Sequence, residues 1–123
     1  MENEKINTCA QRHVSCETSP ELGTLVQQAS TVCDLYAERF GIDRDATWYL
    51  AKLTEELGEL QAAYLATKGA QRGAVSENVA RQNLEDEAAD LFGFLLVFAE
   101  WQGIDLADAF ANKWGRHLPP AVE

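Results

Sequence analysis

Long apolar runs are missing from this chain of 123 residues. No stretch reaches the roughly 18 consecutive apolar residues of a membrane-spanning helix, so no such span is expected. Cations are scarce: ten lysines and arginines face twenty aspartates and glutamates, for a formal net charge of −10. That balance disfavours nucleic acid and anionic membranes as partners, since both reward basic surfaces. A small polyanion stays open, provided that something such as a divalent cation offsets the repulsion. Cysteine is limited to Cys9, Cys16 and Cys33, an odd number without a stapling pattern. The opening Met1-Glu2-Asn3-Glu4-Lys5 lacks the basic and apolar regions of an export signal, so reduced thiols and a cytoplasmic protein are expected. The two histidines, His13 and His117, lie far from every acidic run. Strand alternation and internal repeats are also missing.

What the chain does have is helical period. Residues 1–18 show none and read as a flexible arm; residues 19–118 read as one all-α domain. Ser19-Pro20-Glu21 has the form of a helix start, with serine as cap and proline in the first turn. Leu22, Leu25, Val26, Ala29, Val32, Cys33, Tyr36 and Phe40 then keep one face until Gly41, a natural stop. A second helix is expected over 46–67, with Asp43 or Asp45 as its cap. A two-glycine link, 68–75, leads to a third helix capped by Ser76 and ended by Gly103. Asp105 and Asp108 open a short fourth helix that carries Asn112, Lys113 and Trp114. Four helices with short links predict a four-helix-bundle-like fold. Apolar residues are plentiful for about 100 ordered positions, so completion by homo-oligomerisation, as a homodimer or dimer of dimers, is expected.

Two acidic runs stand out. Lys52-Leu53-Thr54-Glu55-Glu56-Leu57-Gly58-Glu59-Leu60 lies in the second helix, beside an apolar stripe of Leu50, Leu53, Leu57, Leu60 and Tyr64. At about 100° per residue, Glu56 falls on the flank of that stripe and Glu59 just beyond. In the third helix, Leu84, Ala88, Leu91, Phe94, Leu95 and Phe98 form the apolar face. Glu87 lands inside it and Asp90 at its edge. A carboxylate among core residues is costly unless paired, protonated or bound to a cation. Two helices that each bring two carboxylates at i, i+3 can build one oxygen-lined site. Oxygen ligands without histidine or cysteine favour a hard ion such as Mg2+, with Mn2+ as a substitute. Gly58 fits a place where another helix or a ligand approaches closely. A di-iron bundle would need Glu-x-x-His motifs, which are missing. Most charge runs are solvated faces, and Glu77, Glu85 and Asp86 fit that description.

Glu55-Glu56-Leu57-Gly58-Glu59-Leu60 followed by Glu87-Ala88-Ala89-Asp90-Leu91 resembles the MazG-like all-α nucleoside triphosphate pyrophosphohydrolases over about residues 22–116. The resemblance implies hydrolysis of a (deoxy)nucleoside triphosphate to monophosphate and pyrophosphate, with house-cleaning of non-canonical nucleotides as a further step. It implies magnesium on Glu56, Glu59, Glu87 and Asp90. Glu55 would orient the attacking water, although it points away from the apolar stripe. Asn112, Lys113 and Arg116 would meet phosphate, the other reading being cations at a helix C-terminus. Lys52 would offset the negative site. Phe94 and Trp48 are candidates for the base, although aromatic residues at helical spacing are more often core. Phe94 stands where close relatives often carry tyrosine, and Phe40 where dCTP-cleaving relatives tend to carry tryptophan, so dCTP specificity does not transfer. The alternatives are a phosphoribosyl-ATP pyrophosphohydrolase and an inactive helical binding module.

Overall fold

The computed structural model describes residues 18–69 and 75–121; the expected arm and most of the glycine link lie outside them. Four α-helices follow in order: α1 Thr18–Phe40, α2 Ala46–Thr67, α3 Glu77–Gln102 and α4 Leu106–Lys113, then a 3-10 turn over Gly115–His117. Among the described residues there is no strand. The fold is all-α, as expected.

Local chemistry sets the boundaries. Asp45 is the cap of α2, its carboxylate accepting from the Trp48 amide at 2.8 Å. The Ser76 hydroxyl does the same for Val79 in α3, and Asp105 for Asp108 in α4. Each satisfies an amide that the helix leaves orphaned. Gly103, at φ 68°, closes α3 in the left-handed region that glycine enters without strain. The start of α1 differs from expectation: helical backbone begins at Thr18, so Ser19 lies within the helix. The proline is still inside the first turn, where its missing N–H costs nothing.

The centre is the antiparallel pair of α2 and α3. Trp48 stands beside Phe94 and Tyr49 beside Trp101, while Glu56 lies beside Glu87. The register therefore runs in opposite directions along the two helices. The α1 helix covers the C-terminal half of α3, with Leu22 and Val26 near Glu100 and Ile104 and Cys33 and Ala37 near Phe94. That second neighbour is why Leu96, Val97 and Ala99 are buried, beyond the single apolar face expected for α3; Ala80, also buried, lies near Tyr64 and Thr67 at the end of α2. Ala88 and Leu95, assigned to that face from sequence, are exposed.

Tyr49 is fully buried, and its hydroxyl accepts from Arg44 Nη1 at 2.9 Å. The same nitrogen donates to Asp34 at 2.9 Å, which ties the α1–α2 turn to α1. A buried tyrosine ordinarily needs such a partner.

The expected core stripe of α2 is corrected by the structure. The buried line is Tyr49, Glu56 and Ala63, spaced by seven residues and so by about two turns. Leu50, Leu57 and Tyr64 form a parallel line that is about half exposed. Leu25, Val32 and Tyr36 on α1 and Val79, Phe92 and Leu95 on α3 are also exposed. The reversal has a physical reason: α1 sits to one side of the hairpin, so a single chain covers one flank of α2. Among the described residues no helix is long and apolar enough to cross a membrane.

Candidate active site

Glu56 stands in the buried line of α2, not on its flank, and is only 6% exposed. Its position follows from helix period, seven residues after Tyr49 and seven before Ala63. Opposite it, α3 presents Glu87, which is half-buried, and Asp90, which is exposed. One carboxylate oxygen each from Glu56, Glu87 and Asp90 lies within 4.8 Å of the others. Glu59, exposed one turn after Glu56, shares a hydrogen bond with Glu87. Oε1 of Glu56 and Oε1 of Glu87 are both buried without a hydrogen-bond partner. Such atoms are rare in folded proteins and call for a ligand.

The electrostatics agree. Burial, then the charges of Glu59 and Asp90, push the Glu56 carboxyl above its ordinary value, with Lys52 opposing. Burial also raises Glu87, and its hydrogen bond with Glu59 favours the protonated form. Asp90 is raised by burial and by the charges of Asp86 and Glu59. These groups crowd negative charge where water cannot fully screen it. A hard divalent cation fits this oxygen-only donor set, and the two orphaned oxygens would be free to ligate one.

Lys52 bridges the site to its surroundings. Its Nζ lies 2.7 Å from Glu55 and 3.9 Å from Glu56, and the pair with Glu55 comes first among the causes that hold its pKa up. It also stands 5.7 Å from the Trp48 ring and 5.3 Å from the Phe94 ring. Those two rings meet edge-on at 6.2 Å beside a cavity of about 210 Å³. Cys33, Tyr36, Ala37, Ile42 and Arg44 complete its lining.

The structure thus brings Glu56, Glu87, Asp90 and Glu59 together, with Lys52, Glu55, Trp48 and Phe94 adjoining. It does not bring Asn112, Lys113 and Arg116 to them within one chain. Asn112 and Lys113 lie on exposed α4, whose main helical partner is α1, and Arg116 follows in the 3-10 turn. Asp90 is 12 residues before the end of α3, about 18 Å along the axis. The close approach expected at Gly58 is not made among the described residues: a Cβ at that position would meet no atom within 4 Å. Arg44 was missed from sequence. It looks like an ordinary turn residue, and its bond to Asp34 spans ten positions without a local signature.

An antiparallel helical pair that carries an oxygen-only carboxylate cluster next to an aromatic cavity is consistent with the class to which the family match assigns the chain, the all-α nucleotide pyrophosphohydrolases. The family model for phosphoribosyl-ATP pyrophosphohydrolase matches residues 36–113, and the chain belongs to that family. The matched segment spans all of α2, α3 and α4. This family is related to the MazG-like enzymes, and the match is to it and not to MazG itself. No curated protein and no solved structure matches the chain.

Proposed function

We propose that this protein hydrolyses the α–β phosphoanhydride of a nucleotide, with a divalent cation held by Glu56, Glu59, Glu87 and Asp90. The observation that carries the reading is Glu56: a nearly buried carboxylate with an orphaned oxygen, among three other acids, within the matched segment. Mg2+, or Mn2+ in its place, would supply positive charge for the phosphates and acidity for a water.

The chain's own residues do the rest. Glu55, half exposed and paired with Lys52, takes the proton of the attacking water as that water's oxygen bonds to the α-phosphorus. The bond to the bridging oxygen breaks, and pyrophosphate leaves with its electron pair. Lys52 then has two tasks: it orients Glu55, and it offsets the charge of the polyphosphate. Trp48 and Phe94 face the base.

The family description supports phosphoribosyl-ATP as the first substrate to test. A (deoxy)nucleoside triphosphate is the second reading, supported by the pairing of Glu55-Glu56-x-x-Glu59 with Glu87-x-x-Asp90 and by a cavity sized for one ring system. House-cleaning of non-canonical triphosphates would follow from that second reading.

We assign Asn112, Lys113 and Arg116 to phosphate contacts delivered by a second copy of the chain. The half-exposed apolar lines of α1, α2 and α3 support such an assembly, a homodimer or a dimer of dimers. The test is a pyrophosphate-release panel over phosphoribosyl-ATP and the standard and modified triphosphates, with and without magnesium. Release that requires magnesium is expected from at least one of them. Silence across the panel from folded protein would overturn the reading.

A further inference from the structure

Hydrogen-bonding character distinguishes the cavity between α1, α2 and α3. Its walls are Trp48, Phe94, Tyr36, Ala37 and Ile42, and its strong polar groups are the Arg44 guanidinium and the Lys52 ammonium. No carboxylate and no carboxamide is among its lining residues. Guanidinium and ammonium groups donate and never accept. Cys33 is a weak partner in either direction, which leaves the Tyr36 hydroxyl as the one strong acceptor among the lining side chains.

Arg44 is also fixed in place. Nη1 spends its bonds on Asp34 and the Tyr49 hydroxyl, and the guanidinium stands 5.3 Å from the Trp101 ring. Donors on Nε and Nη2 are not committed to any group among the described residues. A fixed, donor-rich wall rewards carbonyl oxygens. It penalises exocyclic amino groups, whose N–H would face N–H along the Arg44 and Lys52 side, with the Tyr36 hydroxyl as the one strong side-chain acceptor in the lining. The volume, about 210 Å³, falls below the 300 Å³ or so at which sites for whole drug-sized ligands begin. It suits a single base with its sugar outside.

We infer that this cavity is a base pocket selective for oxo-bearing over amino-bearing heterocycles, with Arg44 as the residue that sets the preference. The inference rests on the second substrate reading given above, a plain (deoxy)nucleoside triphosphate. The cavity shares Lys52 with the carboxylate site, and a base seated there would have its phosphates directed toward Glu56.

Two matched pairs test this, because each differs by one oxo-to-amino exchange: dUTP against dCTP, and ITP against ATP. The oxo member of each pair should have the higher kcat/KM, by about tenfold or more. Arg44→Met should reduce that ratio to within about threefold, mainly by raising KM for the oxo member. Arg44→Lys should keep part of the ratio. Equal or reversed ratios in the wild type would overturn the inference while leaving the reaction intact.

Because Arg44 also braces Tyr49, its variants need a second readout that survives misfolding. Quenching of wild-type tryptophan fluorescence by UMP and by CMP supplies it, with Trp48→Phe as the control. Stronger quenching by UMP, lost in Trp48→Phe, supports the pocket even if no nucleotide is hydrolysed. Equal or stronger quenching by CMP refutes it.

Discussion

Replacing Glu56 with glutamine should make the cation-free protein more stable while abolishing its response to magnesium. Glu56 Oε1 is buried without a partner, a situation that costs about 1–3 kcal/mol for an ordinary polar group and more for a charged one. A glutamine amide in the same place can donate to Glu87 or Asp90, whose nearest oxygens lie within 4.8 Å of Glu56. A net gain of about 1 kcal/mol would raise the melting temperature by about 4–8 °C for a domain of this size. The effect has a pH signature. Burial and neighbouring charge hold Glu56, Glu87 and Asp90 above their ordinary values. A raised carboxyl contributes stability below its unfolded pKa and loses it as pH climbs through the folded value. The advantage of Glu56→Gln in chelator should therefore be full at pH 8 and smaller at pH 5. Saturating magnesium, at about 100 times its dissociation constant, should add about 2.7 kcal/mol to the wild type, and most of that should vanish in the variant. Circular-dichroism melts at the two pH values, with chelator and with magnesium, decide it. A variant that melts no higher than wild type in chelator at pH 8, or that gains as much from magnesium, refutes the assignment of Glu56.

Asp90→Asn and Glu59→Gln should each lower magnesium-dependent pyrophosphate release by about 100-fold or more, with helical content unchanged; near-normal rates at limiting magnesium would exclude them as ligands. Lys52→Met removes a cation 3.9 Å from Glu56 and should tighten magnesium binding severalfold in calorimetry while slowing turnover. Tyr49→Phe deletes the hydroxyl that anchors Arg44 and should destabilise the fold by about 1–2 kcal/mol, read as a lower urea midpoint. Leu57→Glu places charge on the half-exposed line of α2 and should shift the protein to a smaller species in sedimentation, whereas an unchanged species would place any self-association elsewhere.

Much of the fold was legible because its signals are local. Asp45, Ser76 and Asp105 cap the helices they precede, and Gly103 ends α3, since a cap depends on three or four neighbouring residues. The acidic pairing of α2 with α3 was legible too, because Glu87 breaks an otherwise apolar face. The buried side of α2 was not. Periodicity finds the largest residues on a helix, and Leu50, Leu57 and Tyr64 are larger than Ala63; it cannot say which flank a third helix covers. Nor could it find Arg44, whose role depends on a contact ten residues away in sequence and on rings contributed by α2 and α3.

The length of α2 carries one more consequence. Trp48, Lys52 and Glu56 follow at four-residue intervals on one rigid rod, so α2 is a ruler about 12 Å long from ring to carboxylate. On the function proposed above, the spacing between what is recognised and what is cut would be built into the covalent chain, and no loop would have to be placed to set it. Variation at the Trp48 end could therefore change which molecule is accepted and leave the cutting end untouched. A scaffold of this kind can acquire new substrates by exchanging a handful of side chains at one end of a helix.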